Sequence, residues 1–262
     1  MPRVRLDQLL VNRKLAPSRA VAQAMLLAGE VEIEGEGRTL KPGNLFADDV
    51  QLRIRGRPRW ASRAGNKLAA ALDAFGVDAA GLVALDAGAS TGGFTDVLLE
   101  RGAARIYAVD VGRAQLLDRL ARDPRVLSME RTNLRTLAAL PDEIQLATLD
   151  LSFISLRLVL PAVRRLVGAT GRVIALVKPQ FEAGKAAVPR GGVIRDPAVH
   201  AEVLQTFAHA AQANGFAVQG LMRSPIVGGD GNVEFLALLA DPPGMAPEAL
   251  AERIRVVAAP SG

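Results

Sequence analysis

The pattern of apolar and polar residues changes character near residue 60. In the first part, apolar residues twice recur at the spacing of a helix. Leu6, Leu9 and Leu10 share one face of a first predicted helix, while Ser18 is a good N-cap for a second helix that Gly29 ends. The apolar positions of the second helix recur at Val21, Ala24, Met25 and Ala28.

Two alternating segments follow these helices. VEIEGEG alternates Val31 and Ile33 with glutamates, and VQLRIR alternates Val50, Leu52 and Ile54 with polar residues. Two short helices followed by small strands predict a compact α+β domain over residues 1–60, with a linker at its end.

After residue 61, short apolar runs alternate with helix-like segments. Such alternation predicts parallel strands covered by helices on both faces. Close to the end, FAVQGLMRS and NVEFLALLA flank a turn and predict an antiparallel pair that closes the sheet. The predicted strands are Leu82–Leu85, Ile106–Val109, Val126–Met129, Leu146–Leu149 and Arg172–Val177, and the predicted helical stretches include Thr95–Glu100, Ala114–Arg122 and Leu156–Leu166.

The predicted fold class is therefore α/β, with a doubly wound, Rossmann-like sheet over residues 61–245. In such sheets, ligands bind beyond the carboxyl ends of the strands. A C-terminal tail, residues 246–262, has the pattern of a short helix over Pro247–Val257.

The composition limits which classes of protein and which kinds of site are expected for this chain. Half of the 262 residues are hydrophobic, which predicts a substantial core and excludes a disordered protein. The chain has no cysteine and two histidines, so we expect neither a disulfide framework nor a metal site. The N-terminus lacks the apolar core of a secretory signal, and no apolar stretch reaches the length of a membrane span. We expect a cytoplasmic protein.

Positive charge is concentrated in the first quarter of the chain. Residues 1–67 hold 13 lysines and arginines against 7 acidic residues, within a net charge of +5 for the whole chain. This asymmetry favours a basic module that meets a polyanion, and the alternative is a solvated basic surface. The candidate phosphate-binding residues are Arg5, Arg13, Lys14, Arg19, Lys41, Arg53 and Arg59.

The stretch LDAGASTGGFTD places small residues after a buried strand and before a helix. Its glycines permit close approach of a ligand to the backbone. Asp110 ends the next strand 24 positions after Asp86, a spacing that suits a carboxylate binding two ribose hydroxyls. The loop lacks the G-x-G-x-x-G pattern of dinucleotide sites, which favours S-adenosylmethionine over NAD; a tight turn without a ligand is the remaining alternative.

Four charged residues fall where a catalytic centre would form. Asp150 and Lys178 end predicted strands, Glu234 lies in the closing strand, and Lys67 opens the second part of the chain. Buried charges are costly unless paired, so Lys178 needs Asp150 or Glu234 nearby. The alternative is a structural cluster of ion pairs, but convergence beside a nucleoside loop favours catalysis.

The N-terminal part resembles the small RNA-binding domain named after ribosomal small-subunit protein four. The matching residues are RLDQLL, SRAVAQAMLLAGEVEIEG and KPG, which cover about fifty residues. This resemblance implies a structured RNA as partner, without naming a reaction.

Motifs along the whole chain resemble the TlyA family, within the FtsJ-like RNA 2′-O-methyltransferases. They are DAGASTGGFTD, DVGRAQL, ERTNLR, DLSFISL, LVKPQFE, GGVIRDP and GNVEFL. The resemblance implies methyl transfer from S-adenosylmethionine to the ribose 2′-hydroxyl of a cytidine in ribosomal RNA or a ribosomal subunit. It implies a catalytic tetrad of Lys67, Asp150, Lys178 and Glu234. Cofactor binding falls on Asp86, Gly88, Ser90, Thr91, Gly92, Gly93, Phe94, Asp110, Val111 and Asn133.

Several alternatives stay open. Family members can carry Arg-x-Trp-Val in the linker, whereas residues 58–61 here read PRWA. Trp60 either stacks on a base or wedges between domains, or it plugs the domain junction. Residues 182–192 lack periodicity and predict a mobile flap, with Lys185 and Arg190 near RNA phosphate or in an ordinary loop. The rival functions are a non-catalytic RNA-binding or ribosome-associated factor and, with less support, a membrane-acting haemolysin.

Overall fold

The structure is a computed structural model that describes residues 3–36, 40–54, 59–113, 115–184 and 187–260. It divides into two compact units, Met1–Arg63 and Ala64–Gly262. The first unit contains the two predicted helices and the two predicted alternating segments. Its elements are β1 (Arg3–Arg5), α1 (Leu6–Asn12), α2 (Arg19–Ala28), β2 (Val31–Ile33), β3 (Leu45–Ala47) and β4 (Leu52–Ile54).

The core of the first unit forms among α1, α2 and the strand β2. Leu6, Leu9 and Leu10 are fully buried, as their spacing predicts. Strand β2 pairs antiparallel with β4, and β1 pairs antiparallel with β3. The pair β1–β3 was not predicted because three-residue strands are too short to show a period.

The predicted apolar face of α2 is wrong by about a quarter turn. Ala22 and Leu26 are buried, whereas Val21 is 40% exposed and Ala24 is also exposed. Residues four apart lie on one face of a helix, so a helix that buries Ala22 and Leu26 turns Val21 outward. The side chain of Ala28 lies outside the described residues, and Ser18 caps the helix by accepting a hydrogen bond from the Val21 N–H, as predicted.

Asp7 is a buried carboxylate that the sequence pattern did not single out. It accepts hydrogen bonds from Arg5 Nη2 at 3.0 Å, Arg19 Nη2 at 3.0 Å and Gln23 Nε2 at 2.9 Å. These three hydrogen bonds, that of Arg5 first, hold the pKa of the Asp7 carboxyl well below its usual range, although burial alone would raise it. Both arginines stay about half exposed and keep further N–H donors, so Asp7 fixes two candidate phosphate-binding cations at the surface.

The second unit is built on a seven-stranded sheet in the order β10-β11-β9-β8-β5-β6-β7. Its strands are β5 (Val83–Ala87), β6 (Arg105–Val109), β7 (Val126–Met129), β8 (Ile144–Leu149), β9 (Val167–Val177), β10 (Ala217–Arg223) and β11 (Phe235–Ala240). Its helices are α3 (Ala64–Phe75), α4 (Gly93–Glu100), α5 (Asp118–Ala121), α6 (Leu160–Leu166), α7 (Pro179–Glu182), α8 (Pro197–Ala213) and α9 (Pro247–Ala258).

Strands β5 to β9 pair parallel, and β11 runs antiparallel between β9 and β10. The predicted α/β fold with an antiparallel closing pair is therefore confirmed. The chain leaves β5 towards β6 and later returns to place β8 on the other side of β5. This reversal opens a crevice at the carboxyl ends of the strands, where ligands bind in such sheets.

One predicted helix is much shorter than expected. Of the stretch Ala114–Arg122, only α5 is helical, and Ala114 lies outside the described residues. The N–H of Leu117 donates to the carbonyl oxygen of Thr91, and this bond holds residue 117 against the loop after β5 instead of in a helical turn. The apolar residues of the stretch pack on that loop.

The sheet is buried on both faces. Residues 173–177 of β9 are all buried, as expected for a strand with helices on both sides. The predicted C-terminal helix is present as α9, and its Ile254 and Val257 join the main core cluster. Within the described ranges, no helix has both the length and the apolar character needed to cross a membrane, and no group of acidic residues and histidines is arranged to hold a metal ion.

Candidate active site

The carboxyl ends of four neighbouring strands carry the polar residues of the site. Gly88 follows β5, Asp110 follows β6, Asp150 follows β8 and Lys178 follows β9. A pocket of about 480 Å³ lies among the first three of these strand ends, at the reversal of strand order. It is lined by Gly88, Ser90, Val109, Asp110, Val111, Gln115, Thr132, Asn133, Leu134, Arg135, Asp150, Leu151, Ser152, Phe153, Ile154 and Val159.

Asp110 lies at this pocket with its carboxylate fixed by the backbone. Oδ2 accepts from the N–H of Ser90 at 2.8 Å and Oδ1 accepts from the N–H of Gly112 at 2.7 Å. A carboxylate has about four acceptor positions, so two remain for ribose hydroxyls. The geometry supports the predicted ribose-binding role.

Gly88 allows the end of β5 to lie against the end of β8. Its φ is +85°, and a Cβ at this position would overlap the main-chain oxygen of Asp150. A side chain here would be strained by the left-handed backbone and would push the two strand ends apart. The glycine is therefore required by the floor of the pocket. The volume of the pocket and its mainly apolar lining with a few polar groups fit a nucleoside cofactor.

Asp86 does not line the pocket. It is fully buried as a member of β5 and accepts hydrogen bonds from Thr95 Oγ1 at 2.6 Å and Thr148 Oγ1 at 3.2 Å. Thr148 is its neighbour across the strands β5 and β8. In this structure its carboxylate fastens α4 and β8 to β5 beneath the loop, and a contact of Asp86 with the cofactor stays a prediction.

Burial raises the pKa of Asp86 to about 7, despite the two threonine hydrogen bonds. A carboxyl of the unfolded chain titrates near pH 4. The native state therefore binds more protons than the unfolded state between about pH 4 and pH 7, and stability falls as the pH rises through this window. We expect the free energy of unfolding of the wild type, measured in urea, to be lower at pH 8 than at pH 5. This decrease should exceed the decrease in Asp86→Asn by about 2 kcal/mol. Equal losses in the two proteins would contradict this assignment.

The other predicted loop residues divide into two groups. Ser90, Val111 and Asn133 line the pocket, with Ser90 at a φ of +47° and the amide of Asn133 accepting from the Arg135 N–H. The remaining predicted residues are not among those that line the pocket. Gly92 caps α4 with a φ of +98°, and the residues that do not line the pocket are Thr91, Gly92, Gly93 and Phe94.

The four predicted catalytic residues form two ion pairs. Lys178 Nζ lies 2.6 Å from Asp150 Oδ1, and Lys67 Nζ lies 2.5 Å from Glu234 Oε2. Phe235 pairs with Val177 across β11 and β9, so Glu234 and Lys178 are opposite residues one step further on. The strand register thus brings the two pairs together.

Two residues at the site were not assigned from the sequence. Ser152 Oγ accepts a hydrogen bond from Lys178 Nζ at 3.0 Å. Phe153 is 92% exposed, with a φ of +64° and its ring 5.3 Å from that of Phe181. Both belong to the motif DLSFISL, in which the sequence pattern singled out only Asp150 as a site residue.

The predicted RNA-binding residues of the first unit are placed as follows. Arg13 donates to the main-chain oxygen of Val50 at 2.6 Å, whereas Lys14, Lys41 and Arg53 are exposed. Arg59 is exposed and lies over the ring of Trp60, with 4.9 Å between guanidinium carbon and ring centroid. Trp60 itself is buried, which disfavours stacking on a base.

The predicted flap is partly ordered by its neighbours. Asn232 accepts from the Ile194 N–H and donates to the Gly192 carbonyl oxygen, at 3.0 Å and 2.9 Å. Arg190 is exposed, and Lys185 lies outside the described residues. The end of this segment is therefore tied to the residues that lead to Glu234.

Residues 60–240 match the family described as FtsJ-like methyltransferase. The chain belongs to the FtsJ-like methyltransferase family. Membership confirms the predicted methyltransferase and the family to which the sequence motifs pointed.

Individual relatives of this FtsJ-like methyltransferase are similar over most of its length. It is 46% identical over 244 residues, 90% of each chain, to TlyA of Mycobacterium tuberculosis, which is named a 16S/23S rRNA (cytidine-2′-O)-methyltransferase. It is 48% identical over 238 residues to YqxC of Bacillus subtilis, provisionally named an rRNA methyltransferase; the match covers 88% of this chain and 84% of YqxC.

A solved structure extends the likeness to the whole chain. A Streptococcus thermophilus protein with a provisional hemolysin name superposes with a TM-score of 0.76 at 41% identity. The match covers 98% of this chain and 96% of that protein. The fold of the chain is thus shared with that protein over nearly its whole length.

Proposed function

We propose that this methyltransferase transfers a methyl group from S-adenosylmethionine to the ribose 2′-hydroxyl of a cytidine in ribosomal RNA. The observation that carries the proposal is the amine of Lys178, which contacts a carboxylate that itself lines the nucleoside-sized pocket. The names of the TlyA relatives supply the cytidine and the ribosomal RNA.

The residues around the pocket suit this cofactor. Asp110 offers two acceptor positions for the ribose of the cofactor, and the exposed Val111 and half-buried Leu151 flank the pocket with apolar surface. When bound, S-adenosylmethionine supplies a methyl carbon made electrophilic by its cationic sulfur. The protein's task is then to align a poorly acidic hydroxyl and to help remove its proton.

Lys178 is the residue best placed for that task. Its amine is held between Asp150 and Ser152 at the rim of the pocket. For Lys178 to act as the base, the ammonium of the ion pair first releases one proton to solvent. The neutral amine then accepts the hydroxyl proton through its lone pair as the 2′-oxygen bonds to the methyl carbon and the carbon–sulfur bond breaks, and Asp150 stabilises the charge that returns to the nitrogen. In this proposal Lys178 orients and deprotonates the 2′-hydroxyl, and no metal ion takes part.

Lys67 and Glu234 form the second half of the centre. Their side chains are only 10% and 4% exposed, so each charge depends on the other. Gly228 lies close to Glu234, because a Cβ added at Gly228 would stand 2.6 Å from Glu234 Oε1. The turn at Gly228 thus packs against this pair. In the proposed reaction, we assign to Lys67 the role of holding the target ribose or the adjacent phosphate.

Ribosomal RNA or a ribosomal subunit is the proposed partner of the first unit. Phosphate contacts by lysine and arginine supply most of the affinity of proteins for RNA. The exposed Lys14, Lys41 and Arg53, with the half-exposed Arg5 and Arg19, provide such cations.

Phe153 is the proposed platform for the target base. Phe153 is 92% exposed and stands on a left-handed backbone in the same loop as Asp150, and strained residues of this kind cluster at functional sites. Stacking of a base on an aromatic ring contributes about 1–3 kcal/mol. We expect Phe153→Ala to raise the KM for RNA, measured at saturating cofactor, by about tenfold or more, while Phe153→Trp restores the KM. A KM unchanged in Phe153→Ala would remove the ring from RNA recognition.

The function is tested by mapping 2′-O-methyl groups in ribosomal RNA from cells with the active protein, without it, and with Lys178→Ala. We expect at least one cytidine to lose its methyl group in the second and third cases. If all sites persist in the absence of the protein, the proposal is wrong. Titration calorimetry with S-adenosylmethionine separates the enzyme from a non-catalytic RNA-binding factor, since only the enzyme requires the cofactor to bind.

A further inference from the structure

Ser152 contacts the candidate base directly. The amine of Lys178 has two oxygen neighbours, Asp150 Oδ1 at 2.6 Å and Ser152 Oγ at 3.0 Å. Ser152 also lines the pocket beside Asp150, so its hydroxyl lies at the boundary between the cofactor pocket and the amine.

Two acceptors match the needs of Lys178 in the neutral form that acts as the base, after the ammonium of the ion pair has released one proton to solvent. A neutral amine carries two N–H groups and one lone pair, and the two oxygens take both hydrogens. The direction of the lone pair is then set by the positions of the two oxygens. With Asp150 as the only acceptor, the amine could rotate about its single hydrogen bond, and the lone pair would sample many directions.

The loop that carries Ser152 is fixed on both sides. The Asp150 N–H donates to the Ala87 carbonyl oxygen at 3.0 Å, which ties the start of the loop to β5. Further on, the buried carboxylate of Glu182 accepts from Ser155 Oγ at 2.6 Å and from the Leu156 N–H at 2.7 Å. Ser152 therefore has a defined position relative to Lys178, which a mobile loop would not provide.

We propose that Ser152 is a positioning residue that directs the Lys178 lone pair towards the 2′-hydroxyl of the target ribose. This inference rests on the proposed methyl transfer. Hydrogen bonds to groups that carry or develop charge correspond to roughly ten- to hundredfold effects in equilibrium or rate. We expect Ser152→Ala to lower the single-turnover rate at saturating cofactor about tenfold, with the KM for RNA within about twofold of the wild type.

Two variants separate positioning from packing. Ser152→Thr keeps a hydroxyl at the same place and should restore most of the rate, which a purely steric role would not allow. Ser128→Ala removes an exposed serine hydroxyl from β7 and should leave the rate unchanged. A wild-type rate in Ser152→Ala at saturating cofactor would overturn the proposal.

A second measurement reports on the amine without methyl transfer. The chain has five lysines, so ¹⁵N-lysine labelling of the full-length protein yields five Nζ signals, and Lys178→Arg identifies the relevant one. We expect Ser152→Ala to speed hydrogen exchange at the Lys178 amine about tenfold and Ser152→Thr to reverse this. Unchanged exchange would contradict the proposal. A wild-type chain that methylates no RNA would defeat the proposed function, and amine exchange would still show whether Ser152 holds Lys178.

Discussion

Replacing Lys178 by alanine should reduce methyl transfer to RNA by a factor of about 10³ or more, because general base catalysis and charge stabilisation are both lost. The amine contacts Asp150 and Ser152, and Lys178 is not among the residues that line the cofactor pocket. The Kd for S-adenosylmethionine should therefore stay within a few-fold of the wild type. The measurements are single-turnover transfer of labelled methyl to ribosomal RNA and calorimetric titration of the cofactor.

Lys178→Arg distinguishes the two contributions of the lysine. A guanidinium keeps the positive charge and can still pair with Asp150, but it has no lone pair to accept a proton. We expect this variant to be nearly as inactive as Lys178→Ala. Arg122→Ala removes a cation whose side chain is 81% exposed and serves as a control of unchanged rate. Wild-type activity of Lys178→Arg would mean that the charge of Lys178 matters and its basicity does not.

The strands of the second unit could be predicted because burial on both faces gives short, continuous apolar runs. β6 and β7 were located within one residue on that basis, whereas β9 begins at Val167, five residues before the predicted start. The antiparallel pair β10–β11 was predictable from the turn between them. Segments of three or four residues, such as β1 and α5, carry too few positions for a period to be measured.

The site was predictable in its residue types and less so in its contacts. Asp86 and Asp110 both follow apolar runs, but Asp86 is still paired with Thr148 inside the sheet, while Asp110 lies one residue beyond β6 and turns into the crevice. A shift of one residue at a strand end thus decides whether a carboxylate is buried inside the sheet or lines the pocket. The sequence alone does not fix strand ends to that accuracy.

The pairing within the tetrad illustrates the same limit. The cost of burying Lys178 predicted a carboxylate partner, Asp150 or Glu234, and the structure selects Asp150. Glu234 instead pairs with Lys67, which α3 brings in from 167 positions away in the chain. Long-range pairing of this kind depends on how helices pack on the sheet, which local patterns do not encode.

The pair Lys67–Glu234 should make a large contribution to stability through the cost of breaking it. Glu234→Ala leaves the ammonium of Lys67, only 10% exposed, without its carboxylate, and we expect the free energy of unfolding to fall by about 3–5 kcal/mol. Lys67→Met should also lower the free energy of unfolding, because it leaves the buried carboxylate of Glu234 without its cation. Urea unfolding at pH 7 measures both losses.

The double variant Lys67→Met/Glu234→Leu separates stability from catalysis. Replacing both charges of a buried pair by apolar groups is often neutral, so most of the stability lost in the single variants should return. Activity should not return, because the proposed contact of Lys67 with the ribose or phosphate is still missing. A double variant that regains methyl transfer along with stability would show that this pair supports the fold alone, and catalysis would then depend on Lys178 and Asp150.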